Sequence, residues 1–251
     1  MRHSIRIDGK RIAFVSDHTG FEEIWTTDSN GQDVRQVTSF GGPGAGSPRW
    51  SPDGTSIAFD STVGGRAGIY VVAASGGAAR RITSTEASGV RPSWARDGNW
   101  IYFGSDQSGD WQIWKTKPSG GRAIQVTRNG GREAFEAPGG EFVYYTKTPP
   151  SQGIWRVPVV GGTEVAELKV SGGGTQGKWA LGGRGIYYLN QSDELAFQEF
   201  STMRHSLLPT PGLQFGEGVA NMMGAAADDR WILLTVLVRA EVHATLVRNF
   251  R

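Results

Sequence analysis

Cysteine is absent from the 251 residues, so no disulfide can brace the fold and no thiolate can hold a metal. Histidine is almost as scarce. His3, His18, His205 and His243 lie far apart, without the close spacing of a ligand set, and read as structural or surface residues. No metal or cofactor is expected. No run approaches the ~18 consecutive apolar residues of a membrane-crossing helix. The start, Met1-Arg2-His3-Ser4-Ile5-Arg6-Ile7, has no apolar signal core. Neither sign of charge dominates: 26 Lys and Arg face 24 Asp and Glu, a formal excess of +2. So small an excess gives no long-range field to steer the chain onto nucleic acid. No Gly-x-Ser-x-Gly elbow occurs, which excludes a hydrolase domain of that type.

The chain is instead rich in glycine, with 37 residues that recur at regular intervals and act as punctuation between apolar runs. A cassette returns about every 44 residues. Its clearest copy is Trp50-Ser51-Pro52-Asp53-Gly54, then Ile57-Ala58-Phe59, Ile69-Tyr70-Val71, Gly76-Gly77 and Ile82-Thr83. The next keeps the order: Trp94 to Gly98, Ile101-Tyr102-Phe103, Ile113-Trp114, Gly120-Gly121 and Val126-Thr127. Such self-similarity means one supersecondary unit reused along the chain. Four short β-branched or aromatic runs per unit, parted by turn residues, predict a four-stranded propeller blade.

The positions equivalent to Trp50 are Ile5, Trp50, Trp94, Phe135, Trp179 and Ala225, which predicts six blades in one domain, residues 1–251. Asp-Gly or Gly-Gly pairs after the mark, such as Asp53-Gly54 and Gly182-Gly183, would supply the positive φ of a tight hairpin. Blade 5 departs from the pattern after Leu195, with Phe197 and Phe200 standing in for strand C. The last unit reaches strand C near Ala244–Val247 and has too few residues left for strand D. The expectation is therefore an all-β, six-bladed propeller of four-stranded antiparallel blades whose last blade lacks its outer strand. An open edge there would be a pairing site, so a monomer or an edge-paired copy is expected, and the chain reads as an excerpt of a longer protein.

The cassette W-S-P-D-G-x-x-I-A-F, with I-Y-V, G-G and a closing I/V-T, resembles the TolB-type propeller repeat. The likeness is strong over Arg11–Thr127, fair to Tyr188 and weak beyond. It implies a bacterial, protein-binding, non-enzymatic propeller, periplasmic if the chain works as TolB does. The last residues, Leu246-Val247-Arg248-Asn249-Phe250-Arg251, are similar to the end of bacterial sensor proteins, which would place the module in the cytoplasm. Related oligogalacturonate lyases hold a metal with several histidines, a cluster this sequence does not offer.

Two motifs are set aside on physical grounds. Gly172-x-Gly174-x-x-Gly177 matches a dinucleotide fingerprint, but it precedes a strand, so no helix N-terminus would receive a pyrophosphate. Most aromatic residues fall on register marks and read as core. Trp111, in the loop between strands B and C of blade 3, and Phe21, at the same place in blade 1, are the exceptions.

In a propeller the B–C and D–A loops share one face, and here they are long and variable, as in Ser39–Pro48, Thr85–Pro92 and Pro209–Ala220. Just before the register residues lie Arg49, Arg91, Arg132 with Glu133, and Lys178. Together they predict a cationic channel mouth suited to carboxylates and hence to an acidic protein or peptide. With Trp111 and Phe21, these residues form the candidate binding site. A carbohydrate-binding or carbohydrate-active propeller and a structural spacer are the alternative readings.

Overall fold

Each cassette folds as an antiparallel meander because its glycine turns are too short to allow anything but adjacent pairing. The computed structural model describes residues 3–6, 8–147, 153–169, 177–210, 212–213, 223–225, 228–238 and 241–248. Blade 1 comprises β1 (His3–Ile5), β2 (Arg11–Ser16), β3 (Glu23–Asp28) and β4 (Arg35–Gln36). Blade 2 comprises β5 (Ala45–Trp50), β6 (Ser56–Ser61), β7 (Gly68–Ala73) and β8 (Arg80–Arg81). Blade 3 comprises β9 (Gly89–Trp94), β10 (Ile101–Ser108), β11 (Asp110–Thr116) and β12 (Ile124–Gln125). Blade 4 comprises β13 (Glu133–Glu136), β14 (Phe142–Thr146), β15 (Ile154–Pro158) and β16 (Val165–Leu168). Blade 5 comprises β17 (Trp179–Leu181), β18 (Gly185–Leu189), β19 (Leu195–Glu199) and β20 (His205–Leu207).

There are thus five complete four-stranded blades among the described residues, where the repeat predicts six. The remaining unit is a three-stranded sheet of β21 (Met223–Ala225), β22 (Trp231–Val238) and β23 (Glu241–Arg248). It lies between blades 5 and 1, with β21 beside both β17 and β1. Blade 5 regains the pattern despite its weak sequence: Phe197 sits in β19, and Phe200 packs on Tyr144 of blade 4 at 5.3 Å between ring centroids.

The apolar register lies where the blades meet. Ile57, Ile101, Ile186 and Ile232 lie in the second strand of their sheets and are completely buried. Ile24, Ile69, Ile113 and Ile154 do the same in the third strand. Burying a side chain of this size contributes roughly 1.5–3 kcal/mol, and a lone blade has no second surface against which to do it.

The threonine that closes the cassette has a specific role. Its hydroxyl accepts the backbone N–H of the first isoleucine of strand C: Ile24 to Thr38 at 2.9 Å, Ile69 to Thr83 at 3.0 Å, Ile113 to Thr127 at 2.9 Å. Strand D is thereby tied to strand C where the ladder is only two residues long. In blade 3 the Thr127 hydroxyl in turn donates to Gln112 Oε1, at 3.0 Å.

The hairpins after strand A do not all work alike. Gly9, Gly54, Gly98 and Gly140 have φ between 70° and 72°, as the Asp-Gly pattern predicts. Blade 5 differs, because neither Gly182 nor Gly183 is in the left-handed region. Gly182 is required by space: a Cβ there would collide with Asp229 Oδ1 and the Tyr187 ring.

Replacing Thr127 by valine keeps the shape but strands the buried Ile113 N–H. We expect a loss of about 1–3 kcal/mol, read as a lower urea midpoint, whereas Thr55→Val in the exposed turn of blade 2 should change little.

Candidate functional site

The first strand of each blade faces the axis, and the charges on these strands are not distributed evenly. Strand A of blades 2 and 3 carries a bulge: pairing skips between Gly46 and Arg49 in β5, and between Val90 and Ser93 in β9. Within these bulges Ser47 and Arg91 adopt φ values of 48° and 53°, in the left-handed region where side chains other than glycine are seldom found. The Arg91 N–H so turned donates to Asp60 Oδ2 of blade 2 at 2.7 Å. Bulges re-aim side chains, and here they deliver guanidinium groups to the axis.

Glu133, on blade 4, receives them. Its Oε1 lies 3.2 Å from Arg91 Nη1 and 3.9 Å from Arg49 Nη2. Its Oε2 accepts the Gly177 N–H at 2.8 Å and the Trp179 indole N–H at 3.1 Å, both from the blade 5 side. Arg49 Nη1 donates to the His3 carbonyl of blade 1 at 3.0 Å, and its guanidinium lies 5.2 Å from the centroid of the Phe135 ring. His3 Nε2 is 2.8 Å from Thr235 Oγ1 in the three-stranded sheet. One chain of polar contacts therefore touches all six sheets. It is well buried: the side chains of Glu133 and Arg49 are 2% and 11% exposed.

Burial shapes the protonation of the members. It lowers the affinity of Arg49 for its proton; Glu133 opposes that shift and the Arg91 cation adds to it. His3 is held neutral, its pKa lowered from 6.5 to about 3 first by burial and then by the neighbouring Arg49 cation.

The remaining expected site residues sit elsewhere on the same face. Arg132 does not join the cluster but lies over the Trp111 ring, 4.5 Å from its centroid. Burial, together with the Arg91 charge, lowers its pKa as well. Lys178 pairs with Asp193 at 2.8 Å at the rim, where both side chains are about one-third exposed. Trp111 is half-buried and Phe21 is 46% exposed. The open ring of cations predicted from spacing is therefore a buried Arg–Glu–Arg cluster with two rim cations, each already engaged. A guanidinium buried without a counter-charge would be too costly to retain, which is why Glu133 stands among them.

Beside the cluster on the loop face is a groove of about 300 Å³, lined in part by Arg91, Arg132, Asp60, Glu22 and Val90. Towards the hairpin face the axis widens into a separate cavity of about 160 Å³, whose lining includes Trp50, Trp94, Phe135, Arg96 and Glu136. Sequence reasoning missed Arg96 and Glu136. The signal was a charged residue one place after the mark in blade 4 (Glu136, against Ser51 and Ala95) and two places after it in blade 3 (Arg96, against Pro52). Among the described residues no group of three or more His, Cys, Asp or Glu is placed to hold a metal. His18 is exposed, His205 is exposed and hydrogen-bonded to the Tyr188 hydroxyl, and the side chain of His243 lies outside the described residues, as do Gly172 and Gly174.

Repeated four-stranded meanders around a lined axis define a β-propeller. The sequence model described as the TolB beta propeller domain matches residues 2–194, and the chain belongs to that family. A TolB homologue from Chlorobium luteolum is 37% identical over 82 residues, 33% of this chain and 18% of the relative. The crystal structure of TolB from Acinetobacter baumannii superposes with a TM-score of 0.77 at 21% identity, covering 95% of this chain and 61% of that one. An oligogalacturonate lyase from Vibrio parahaemolyticus shares the fold at 12% identity and a TM-score of 0.63, over 99% of this chain and 77% of that one. The chain thus spans about a fifth of that curated relative and three-fifths of the Acinetobacter protein.

Three outcomes follow for the cluster and its rim. Glu133→Gln should cost about 3–5 kcal/mol of stability because two buried cations lose their counter-charge. Asp193→Asn, which breaks the rim pair with Lys178, should cost under about 1 kcal/mol; denaturant unfolding of both variants checks the contrast. His3 contributes stability that is complete above about pH 6.5 and is lost as the pH falls towards 3, because the unfolded chain then takes up a proton that the folded chain refuses. Between pH 6.5 and 5 this amounts to on the order of 2 kcal/mol, and the slope of stability against pH over that window should flatten in His3→Gln.

Proposed function

We propose that this propeller is a non-enzymatic module that binds an acidic protein or peptide on its loop face, as one part of a larger bacterial protein. The observation that carries this reading is the groove beside the axial cluster, where Arg91 and Arg132 line a concave surface and Trp111 backs Arg132. Family membership supports a binding scaffold. Phe21 stands exposed next to Glu22, which lines the same groove, and provides an apolar contact at its edge. Lys178 adds rim charge from blade 5, while Arg49 and Glu133 set the floor potential from below. Arginine and aromatic side chains together are the usual anchors of such interfaces.

We also take the three-stranded sheet as the sixth blade of the ring. The His3–Thr235 contact and the seat of β21 between β17 and β1 support that count. The likeness to the lyase is one of fold, and no observation at the axis favours sugar chemistry.

A photo-crosslinking amino acid placed at Phe21, at Trp111, and at Val160 as a control tests the reading; Val160 is 92% exposed and lies at the turn after β15, remote from the groove residues. In bacterial extracts, adducts to a defined protein are expected from the first two sites alone. The purified partner should then bind about tenfold more weakly to Arg132→Ala and lose affinity with rising salt. Equal crosslinking from Val160, or turnover of a substrate that loop-face substitutions abolish, would overturn the proposal.

A further inference from the structure

The charges that line the loop-face groove follow the order of the blades. Glu22 comes from blade 1, Asp60 from blade 2, Arg91 from blade 3 and Arg132 from blade 4. Two acids therefore stand at one end and two cations at the other. The inner two are spent within the protein: Asp60 accepts the Arg91 N–H at 2.7 Å, and the Arg91 guanidinium lies 3.2 Å from Glu133. The outer two are not.

Arg132 has the Trp111 ring at 4.5 Å but, among the described residues, no side-chain hydrogen bond or ion pair. It is half-buried, and of its side-chain nitrogens only Nε is sealed from solvent, which leaves both Nη groups accessible. The Arg91 charge acts on it, which sets the guanidinium beside a residue of the groove. A half-buried cation is costly without a counter-charge, and Arg49, Arg91 and Lys178 each have one. Glu22 is the mirror case. Its exposed carboxylate has no hydrogen bond or ion pair among the described residues. It leans over the groove: a Cβ added to Gly44, in the lining, would stand 2.5 Å from Glu22 Oε2. Between the poles the walls include Gly44, Ala45, Gly46 and Ala67, small enough to admit a bare backbone. The volume of about 300 Å³ is at the lower end of the range for small-ligand sites. A ligand of one sign would meet its own charge at one end, whereas a dipolar ligand meets the opposite charge at both.

We propose that the groove takes a short peptide with both ends free, its ammonium beside Glu22 and Asp60 and its carboxylate on the Nη groups of Arg132. Arginine suits that role because its fork can grip both oxygens of a carboxylate. The inference rests on the loop-face reading and narrows it: the ligand is dipolar instead of uniformly acidic, and its direction across blades 1 to 4 is fixed.

The test is titration of the isotope-labelled protein with Gly-Ser-Gly, followed by amide NMR, alongside the same peptide acetylated at its N-terminus or amidated at its C-terminus. The free peptide should shift the amides of Gly44, Ala45, Gly46 and Val90, and either cap should weaken binding at least about fivefold. Glu22→Gln should weaken the free peptide about five- to tenfold and leave the acetylated one unchanged. Arg132→Gln should weaken it by the same factor and leave the amidated one unchanged. Unchanged binding of the matching capped peptide also shows that each variant keeps an intact groove. Equal binding of free and capped peptides, no shift at roughly 10 mM peptide, or equal binding of a doubly capped Lys-Gly-Asp peptide would overturn the proposal. The two readings fail separately. An acidic protein crosslinked at Phe21 and Trp111 that binds Glu22→Gln as tightly as the parent sustains the loop-face reading and sinks this one. Peptide binding without any crosslinked protein sustains the free-ended ligand and removes the protein partner.

Discussion

A single buried carboxylate organises the axis of this propeller. Glu133 is reached by guanidinium groups from blades 2 and 3 and by N–H donors from the side of blade 5, and Arg49 carries the connection on to blade 1. Sheet ladders hold strands together within a blade, and apolar faces hold neighbouring blades together. Neither fixes how blades that are not neighbours face one another across the channel. The axial cluster does this, and its low dielectric surroundings make each contact worth more than it would be at the surface. The groove on the loop face and the cavity towards the hairpin face lie on either side of it.

The two concave sites differ in kind. The loop-face groove mixes acidic and basic groups with partly exposed aromatics, which suits a broad and adjustable contact with another chain. The axial cavity is small and walled in part by Trp50, Trp94 and Phe135. Rigid inner strands shape the cavity, whereas loops shape much of the groove.

The scaffold was largely legible in the sequence, because its causes are local. Trp50, the Asp53-Gly54 turn and the Ile57 run reappear at one spacing, and strand, hairpin and buried face follow from them. The axial contacts were not legible. Glu133 meets Trp179 46 residues away and His3 meets Thr235 across 232 residues, and no spacing rule joins such pairs. The bulges that aim Arg91 inwards also left no trace beyond an Arg-Pro pair. Arg49, Arg91 and Arg132 look equivalent in the sequence, but the first two go to a carboxylate and the third to the Trp111 ring.

The axis also limits how alike the repeats can become. Copies of a cassette can share every residue of their outer strands and of the faces between them, since each blade meets the same neighbours. At the axis the copies converge on one volume. Two residues before each register mark stand His3, Pro48, Pro92, Glu133, Gly177 and Met223, five different residues at six equivalent positions. Six glutamates there would repel one another and six glycines would leave a void. A duplicated blade must therefore diverge first at its innermost strand, so the history of the repeat is better preserved at the circumference than at the centre.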